Sequence, residues 1–434
     1  MKEMSKFQLI FTGICALLII VGVIIFATGG FGSSGKESGN VVIWGTIGAG
    51  EFTNFLQNSQ IANDKTVTVT YVEKNENTFD QDFVEALATL KGPDLFFLPQ
   101  DSIVKHHDKV ITIPFQSYPE RTFKENFVEE GELFLTSTGA LALPFIVDPM
   151  VMYWNRDTFS SAGLSVPPKH WSEMYDLSVQ LSKKDNNLNI IKSTVALGEY
   201  TNITHAKELI GLLTMQAGSP IVVRREDDSL NNLLNNPLNF PVAPANRAVS
   251  FYTEFSNPLK PYYSWNRSLP SSKSFFLSGD LALYFGFASE LADLRLKNPN
   301  LNFDVAPVLQ SKDADKIITF GKIIGLAVPK SSKNVAGAFK VASLMTSASS
   351  IGELSKITGL PPVRRELLVN KPQENYLSVF YDGAIQSRGW LSPEASKVDP
   401  IFKEMIESIT GGRAMPSEAI NKASSQIDLL LNIK

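Results

Sequence analysis

Apolar and polar residues along this chain follow two periods in turn, one typical of strands and one typical of helices. Residues 41–44 are wholly apolar, and residues 65–73 alternate with β-branched side chains, so both segments are predicted to be strands. Residues 79–90 space their Phe and Leu side chains three or four apart, which predicts a helix. A further apolar run ends at Asp101. This order predicts an α/β lobe with a largely parallel sheet covered on both faces.

The same alternation continues to the C-terminus. The apolar run at 318–330 predicts another strand. Helical periodicity predicts further helices at 156–164, 171–183, 245–257, 351–358 and 417–431. Ser417 is the expected cap of the last helix, and Trp171 is expected in the core. A chain of 434 residues is too long for one ordinary core, so we expect two lobes.

The N-terminal segment is different. Residues 9–27 are about 19 mostly apolar residues, enough to span a bilayer, and Lys2 and Lys6 precede them. The positive-inside rule then places the rest of the chain outside the cytoplasm. A cleaved signal peptide is the alternative, because small residues at 27–29 resemble a cleavage site. Cys15, the sole cysteine, allows no intrachain disulfide and follows Ile14, so it does not resemble a lipoprotein acceptor.

Composition and motifs argue against several function classes. The net charge of −4 and the scattered Lys and Arg residues do not resemble a nucleic-acid footprint. Gly30 to Lys36 has P-loop spacing, but Glu37 replaces the magnesium-binding hydroxyl, and the glycines at 45–50 are in the wrong order for a dinucleotide turn. The four histidines lack metal-ligand spacing, and no G-x-S-x-G motif occurs. We therefore expect no cofactor, no bound metal and no catalytic residue.

Several passages resemble one family when read in order. The passages are 93–101 (PDLFFLPQD), 142–174, 276–291, 300–310, 318–347 and 359–367. Together they are similar to the extracellular solute-binding proteins, family 1, which serve ABC importers of sugars. Each passage alone is a weak signal, and their joint order over about 350 residues from Val41 onward carries the resemblance.

The resemblance implies a two-lobed periplasmic-binding-protein-like α/β fold of type II, with strands crossing between the lobes. The apolar run at 9–27 adds one N-terminal transmembrane helix before it, a departure from the many family members that carry a lipidated cysteine or a cleaved signal instead. It also explains the run LALPFIVDPMVMYWN at 141–155, where Asp148 and Pro149 interrupt two strand-length apolar segments at the expected hinge. The expected division is an anchor or signal at 1–28, a flexible linker at 29–40, lobe 1 at 41–147 plus 322–368, and lobe 2 at 148–321 plus 369–434.

A saccharide needs carboxylates, amides or arginines for its hydroxyl groups and aromatic faces for its rings. The candidate ligand-binding residues of these types at strand ends and turns are Trp44, Asp101, Asp148, Trp154, Glu199, Tyr200, Trp265, Tyr284, Arg365 and Trp390. Tyr153 is the alternative to Trp154, since neighbours on a strand face opposite ways. Arg364 is the alternative to Arg365. Each of these residues could instead serve packing or helix capping.

We therefore expect a monomeric, membrane-anchored, extracytoplasmic sugar-binding subunit of an ABC importer, with permease subunits as its partners. The ligand alternatives are a polyamine or peptide, because acids and aromatics also suit cations, and a ferric ion on Tyr262 and Tyr263. Asp148 and Glu199 could form a glycosidase pair if their spacing allowed it. A membrane-tethered sensor of the same fold is the remaining alternative.

Overall fold

The computed structural model describes residues 39–432, except for 313 and 315. In that part of the chain, every helix is too short or too polar to span a membrane. The expected anchor at 9–27, Cys15, the P-loop-like Gly30 to Lys36 and nearly all of the linker lie outside the described residues.

Apolar runs form the strands. They are β1 (Asn40–Gly45), β2 (Thr68–Glu73), β3 (Leu95–Pro99), β4 (Ile113–Pro114), β5 (Gly139–Ala140), β6 (Leu143–Asn155), β7 (Lys183–Lys184), β8 (Ile190–Val195), β9 (Val222–Arg224), β10 (Leu230–Asn232), β11 (Leu281–Phe287), β12 (Phe303–Ala306), β13 (Thr319–Ala327) and β14 (Ser387–Arg388). The long strands β6 and β11 are almost continuously buried, as in sheets covered on both faces.

Amphipathic segments form the helices that cover the sheet. They are α1 (Ala49–Asn58), α2 (Phe79–Ala88), α3 (Ile103–His106), α4 (Glu120–Asn126), α5 (Arg156–Ser161), α6 (Glu173–Leu181), α7 (Ala206–Gln216), α8 (Pro244–Glu254), α9 (Ser272–Leu277), α10 (Glu290–Lys297), α11 (Val335–Met345), α12 (Ala348–Thr358), α13 (Arg365–Leu368), α14 (Asn375–Gln386), α15 (Ala395–Thr410) and α16 (Pro416–Leu431). Short 3₁₀ helices occupy Gln60–Asn63, Gln100–Ser102 and Glu129–Phe134.

Two halves of one sheet make the cores of two lobes. The strand order is β2-β1-β3-β13-β6-β11-β8-β7, with β12 also on β6 and β14 on β13. In lobe 1, β1 pairs parallel with β2 and β3. In lobe 2, β11 pairs parallel with β8 and antiparallel with β6.

The long strands β6 and β13 join the lobes. Along β6, Leu143 to Pro149 pair antiparallel with β13, and Met150 to Trp154 pair with β11. The change of partner therefore falls directly after the Asp148–Pro149 step, between Pro149 and Met150. Pro149 lacks an N–H group, so it fits a position where the ladder changes partner.

The predicted elements agree with the structure to within a few residues. The prediction of a largely parallel sheet is correct only in part, because the two crossing strands β6 and β13 pair antiparallel with each other and with neighbouring strands. Trp171 lies in the core, as predicted. The prediction that Ser417 caps the last helix was wrong: Pro416 occupies the first helical turn, and Glu418 accepts from the Met415 amide at 3.0 Å.

Candidate functional site

A cavity of about 320 Å³ lies between the lobes, against the crossing strand β13, and we call it the inner pocket. Residues that line it include Thr46, Glu76, Phe79, Asp80, Phe97, Gln100, Asp101 and Lys105 from lobe 1, Lys207, Glu208, Trp390, Ser392 and Glu394 from lobe 2, and Phe320, Lys322 and Ile324 from β13. Both lobes and the strand between them thus contribute side chains to one cavity.

The lobe 1 wall is fixed by the turn that follows β3. Gln100 begins this turn, and its side-chain amide donates to Gly321 O at 2.9 Å and accepts from Ile323 N at 3.0 Å. These two bonds hold the turn against β13. Asp101 follows directly and lines the pocket, because the carboxyl end of a buried strand faces the cleft in an open α/β sheet.

The lobe 2 wall includes the first turn of α7. Lys207 and Glu208 are the second and third residues of this helix. A carboxylate in the first turn of a helix is stabilised by the helix dipole. The Lys207 ammonium lies 3.8 Å from Asp399, which is a long distance for an ion pair. This ammonium group is therefore only weakly paired within the protein.

The pocket combines opposite charges that are not fully paired. Among the described residues, the side chains of Asp101, Glu208 and Lys322 make no hydrogen bond or ion pair with one another or with other side chains. Burial raises the pKa of Asp101 and Glu208 adds to this, although Lys207 and Lys322 oppose it. Burial also opposes ionisation of Glu208, but the nearby Lys322 and Lys207 outweigh it and lower its pKa. Free acceptors and a free donor thus face one cavity.

Aromatic rings supply the apolar part of the wall. Phe79, Phe97, Phe320 and Trp390 line the pocket. Trp390 is 3% exposed and stacks on Phe402 with ring centroids 6.0 Å apart, so only a small part of its ring is available from the cavity. Lys322 also lies with its ammonium 4.1 Å from the Phe287 ring centroid, and this contact helps to orient its side chain.

A chain of charges closes one side of the pocket. Lys105 donates to Asp80 and, at 2.8 Å, to Glu394 on the other lobe. His106 contacts the second oxygen of Asp80 at 2.5 Å. Burial lowers the pKa of His106. Burial opposes the charge of Lys105, but its two carboxylate partners outweigh it and raise its pKa.

Two of the ten predicted ligand-binding residues, Asp101 and Trp390, line the inner pocket. Trp265 lies in the core of lobe 2 at 0% exposure, and its indole N–H donates to Asn202 at 3.2 Å. Tyr284 is also buried there, with its hydroxyl on Glu290 at 2.8 Å. These side chains present no surface to the cleft, so we do not include them in the proposed site.

Trp154 and its alternative Tyr153 are both buried in lobe 2. Trp154 packs edge-on against Phe159, and the Tyr153 hydroxyl donates to Phe287 O at 2.7 Å. Period-two alternation placed one of the two at the cleft, but lobe 2 covers both faces of β6 at this point.

The remaining predicted residues have partners away from the inner pocket. Trp44 has the Lys74 ammonium 3.9 Å from its ring centroid, Asp148 accepts from the Ser289 amide at 3.0 Å, and Arg365 donates to Phe127 O at 2.5 Å. Glu199 pairs with Arg267 at 3.1 Å, and Tyr200 donates to Asp399 at 2.7 Å. Burial raises the pKa of Asp148 to about 6, which the Ser289 hydrogen bond partly opposes.

Several pocket residues were missed in the sequence. Lys322 did have a signal, because it is the only charged residue in the apolar stretch 318–329. Lys207 and Glu208 follow the predicted pair Glu199–Tyr200 by a few residues. Glu76, Asp80 and Glu394 lie in ordinary polar segments and give no local signal. No group of three or more His, Cys, Asp or Glu residues in the described part of the chain is arranged to hold a metal ion.

Residues 50–350 match the family model described as Bacterial extracellular solute-binding protein. Among solved structures, a cyclo/maltodextrin-binding protein complexed with maltotetraose is similar with a TM-score of 0.73 and 17% identity, covering 93% of this chain and 99% of that one. A cyclic α-maltosyl-1,6-maltose binding protein from Arthrobacter globiformis has a TM-score of 0.73 and 16% identity, covering 91% of this chain and 99% of that one. These similarities confirm the two-lobed α/β fold.

An ABC transporter solute-binding protein from Thermotoga lettingae, bound with α-D-tagatose, has a TM-score of 0.66 and 19% identity, covering 91% of this chain and 100% of that one. Mouse (Mus musculus) Hemicentin-1 is 25% identical over 185 residues. That match covers 39% of this chain and 3% of Hemicentin-1, so the chain spans a small fraction of that protein.

Proposed function

Because the chain belongs to the bacterial extracellular solute-binding proteins, we propose that it is the substrate-binding subunit of an ABC importer and binds a carbohydrate between its lobes. The observation that carries this proposal is the inner pocket, where uncommitted carboxylates and an ammonium group lie beside aromatic rings at the junction of the lobes. We propose a binding role without catalysis.

The pocket chemistry suits a polyol. Sugar hydroxyl groups both donate and accept, so Asp101 and Glu208 would accept from them and Lys322 would donate to them. Phe79, Phe320 and Trp390 would contact the apolar C–H faces of the sugar ring. Some structurally similar proteins were solved with saccharides, including maltotetraose and mannobiose, which supports the same ligand class here.

Capture would occur by closure of the lobes about β6 and β13, and the closed form would dock on permease subunits while ATP is bound by a separate protein. The proposed lobes are 41–147 plus 322–368 and 148–321 plus 369–434. The change of strand partner near Asp148 and Pro149 supports this division. We further propose a monomer held at the outer face of the membrane by residues 9–27.

One observation favours a second ligand class. The inner pocket is lined by two more carboxylates than lysines, the carboxylates being Glu76, Asp80, Asp101, Glu208 and Glu394. An excess of negative charge attracts a cation. A polyamine is therefore the second candidate for this pocket. A tethered sensor would use the same pocket and would differ only in its signalling partner.

The test is thermal unfolding of the purified full chain with neutral mono- and oligosaccharides, spermidine and short peptides. A ligand at 100 times its Kd should stabilise the fold by about 2.7 kcal/mol, a shift of a few degrees. A shift with saccharides, reduced in Asp101→Asn, supports the proposal. If the melting temperature shifts only with spermidine or a peptide, the ligand is of that class and not a carbohydrate. If no compound of the panel shifts the melting temperature, carbohydrate binding is contradicted.

A further inference from the structure

A second cavity of about 700 Å³, which we call the outer chamber, also lies between the lobes. Lobe 1 contributes residues within 104–109, and lobe 2 contributes the hairpin of β9 and β10, residues within 393–397, and the end of α16. Lys105 and Glu394 line both cavities. Their ion pair is therefore a partition between two parts of one cleft. Both volumes fall in the range of about 300–1,000 Å³ that is common for ligand sites.

Two of the carboxylates in the outer chamber pair with lysines that also line it. Glu394 accepts from Lys105 at 2.8 Å and pairs with Lys397 at 2.8 Å. Asp108 pairs with Lys109 at 2.9 Å. These groups neutralise one another within the protein, so neither carboxylate is free to compensate a further cation.

The third carboxylate, Asp228, accepts hydrogen bonds from a residue of the opposite lobe. Asp228 accepts from the Ser137 amide at 2.8 Å and from its hydroxyl at 2.6 Å. Arg224 lies 4.0 Å from this carboxylate, measured from Nη1 to Oδ1, which is beyond hydrogen-bond distance. Asp228 therefore attracts Arg224 by charge without satisfying its donors.

Arg224 is the least compensated charge of the outer chamber. Its side chain is 15% exposed, and its Nε is enclosed with no hydrogen-bond partner among the described residues. Burial lowers the pKa of Arg224, and Asp228 only partly opposes this. A mostly buried guanidinium with unused donors costs free energy unless a partner matches it. Its planar fork matches the two oxygens of an oxyanion.

We propose that the outer chamber is a second subsite of the cleft and that Arg224 binds an oxyanion carried by the ligand, such as the carboxylate of a uronic acid unit. This inference rests on the proposed function, because the saccharide would extend from the inner pocket past the Lys105–Glu394 partition. Lys109 and Lys397 line the same chamber, but each is paired with a carboxylate, so the attraction for the anion rests on Arg224.

The experiment compares anion binding by the full chain and by Arg224→Gln. The probes are trigalacturonate and sulfate, titrated calorimetrically at constant ionic strength, with neutral maltotriose in parallel. We expect both anions to bind Arg224→Gln about ten- to a hundredfold more weakly than the wild type, as for the loss of a charge-assisted hydrogen bond. The matched control is Arg225→Gln, an exposed neighbour that donates to Asn231 at 2.8 Å and does not line the chamber.

A second variant does not depend on how well Arg224→Gln folds. Asp228→Asn removes the negative charge nearest to Arg224 and keeps an acceptor for the Ser137 amide. Asn also tolerates the positive φ of 64° at this position. We expect Asp228→Asn to bind both anions several-fold more tightly than the wild type, a gain that misfolding would not produce.

The subsite is overturned if neither anion binds the wild type, or if both bind Arg224→Gln as tightly as the wild type and Asp228→Asn gives no gain. In either case, binding of neutral saccharides would leave the proposed function standing. Conversely, Arg224-dependent sulfate binding with no saccharide bound at all would support the anion site and contradict the carbohydrate function.

Discussion

Lys105 of lobe 1 donates to Glu394 of lobe 2 at 2.8 Å, so one ion pair both joins the lobes and divides the cleft. Burial opposes the charge of Glu394, but hydrogen bonds from Lys105 and Lys397 outweigh it and lower its pKa to about 2. Because the pKa of Glu394 is lowered, the pair stabilises the folded state with joined lobes fully when the pH is above the ordinary glutamate pKa near 4.5. This contribution is lost as the pH falls through about 2.

The first prediction concerns closure. Glu394→Gln should shift the ligand-free population toward open lobes by up to about fivefold, because a partly exposed ion pair contributes about 0.2–1 kcal/mol. The distance between spin labels at Val84→Cys and Leu259→Cys, in a Cys15→Ser background, reports the lobe separation. Glu404→Gln, which breaks the Lys422 pair inside lobe 2, is the control. Equal distance distributions for the two variants would show that the Lys105 pair does not hold the lobes together.

The second prediction concerns Glu130. Glu130 is 2% exposed, and both of its carboxyl oxygens are enclosed without a hydrogen-bond partner among the described residues. The Ser387 hydroxyl donates to Gly383 O at 2.9 Å, and a Cβ on Gly321 would overlap the Glu130 carboxyl group. Burial raises the pKa of Glu130 to about 8; Asp148 adds to the shift and Arg388 opposes it.

A raised carboxyl pKa makes the folded state bind its proton more tightly than the unfolded state. The free energy of unfolding should therefore fall as the pH rises from about 4.5 to about 8, by up to about 1.4 kcal/mol per pH unit. Glu130→Gln should remove this decline, as measured by urea unfolding between pH 5 and 9. Glu132→Gln, on the same 3₁₀ helix but partly exposed, should keep it. A stability difference between wild type and Glu130→Gln that stays constant with pH would exclude titration of Glu130 in this range.

The third prediction separates two tryptophans. Trp265→Ala should lower the free energy of unfolding by about 3–5 kcal/mol, because it leaves a cavity in the closed core of lobe 2. Trp390→Ala should lower the free energy of unfolding by less, since it enlarges a pocket that already exists. It should weaken ligand binding more than Trp265→Ala does. Urea unfolding and calorimetry with the best saccharide of the panel measure both effects. If Trp265→Ala is as stable as the wild type but no longer binds the saccharide, Trp265 belongs to the ligand site and the prediction is wrong.

The fourth prediction concerns Asp101. Asp101→Asn should weaken saccharide binding about ten- to a hundredfold, the cost of a charge-assisted hydrogen bond. The melting temperature of the free protein should stay the same or rise slightly, because burial penalises the Asp101 charge. Asp382→Asn, which breaks an exposed pair with Lys371, serves as the control and should bind normally. Unchanged affinity in Asp101→Asn would remove this carboxylate from the site.

The strands and helices were predictable because hydrophobic periodicity is a local property. The alternation along 65–73 and the helical spacing along 79–90 each depend on a few neighbouring residues. The interruption at Asp148 and Pro149 likewise marked the place where β6 changes its partner. Asp101 was predictable as a pocket residue because it ends an apolar strand, and strand ends in an α/β lobe meet at the cleft.

The sequence by itself thus determined the α/β elements, the two lobes and one pocket carboxylate. Only the tertiary structure decided which charges meet in the cleft, since Asp101, Glu208, Lys322 and Glu394 come from distant segments of the chain. It also decided that Trp265 is buried, because an aromatic residue in an irregular segment has no periodic pattern to reveal its surroundings. Periodicity encodes the apolar face of one element, whereas the contacts between side chains depend on how the elements of both lobes pack.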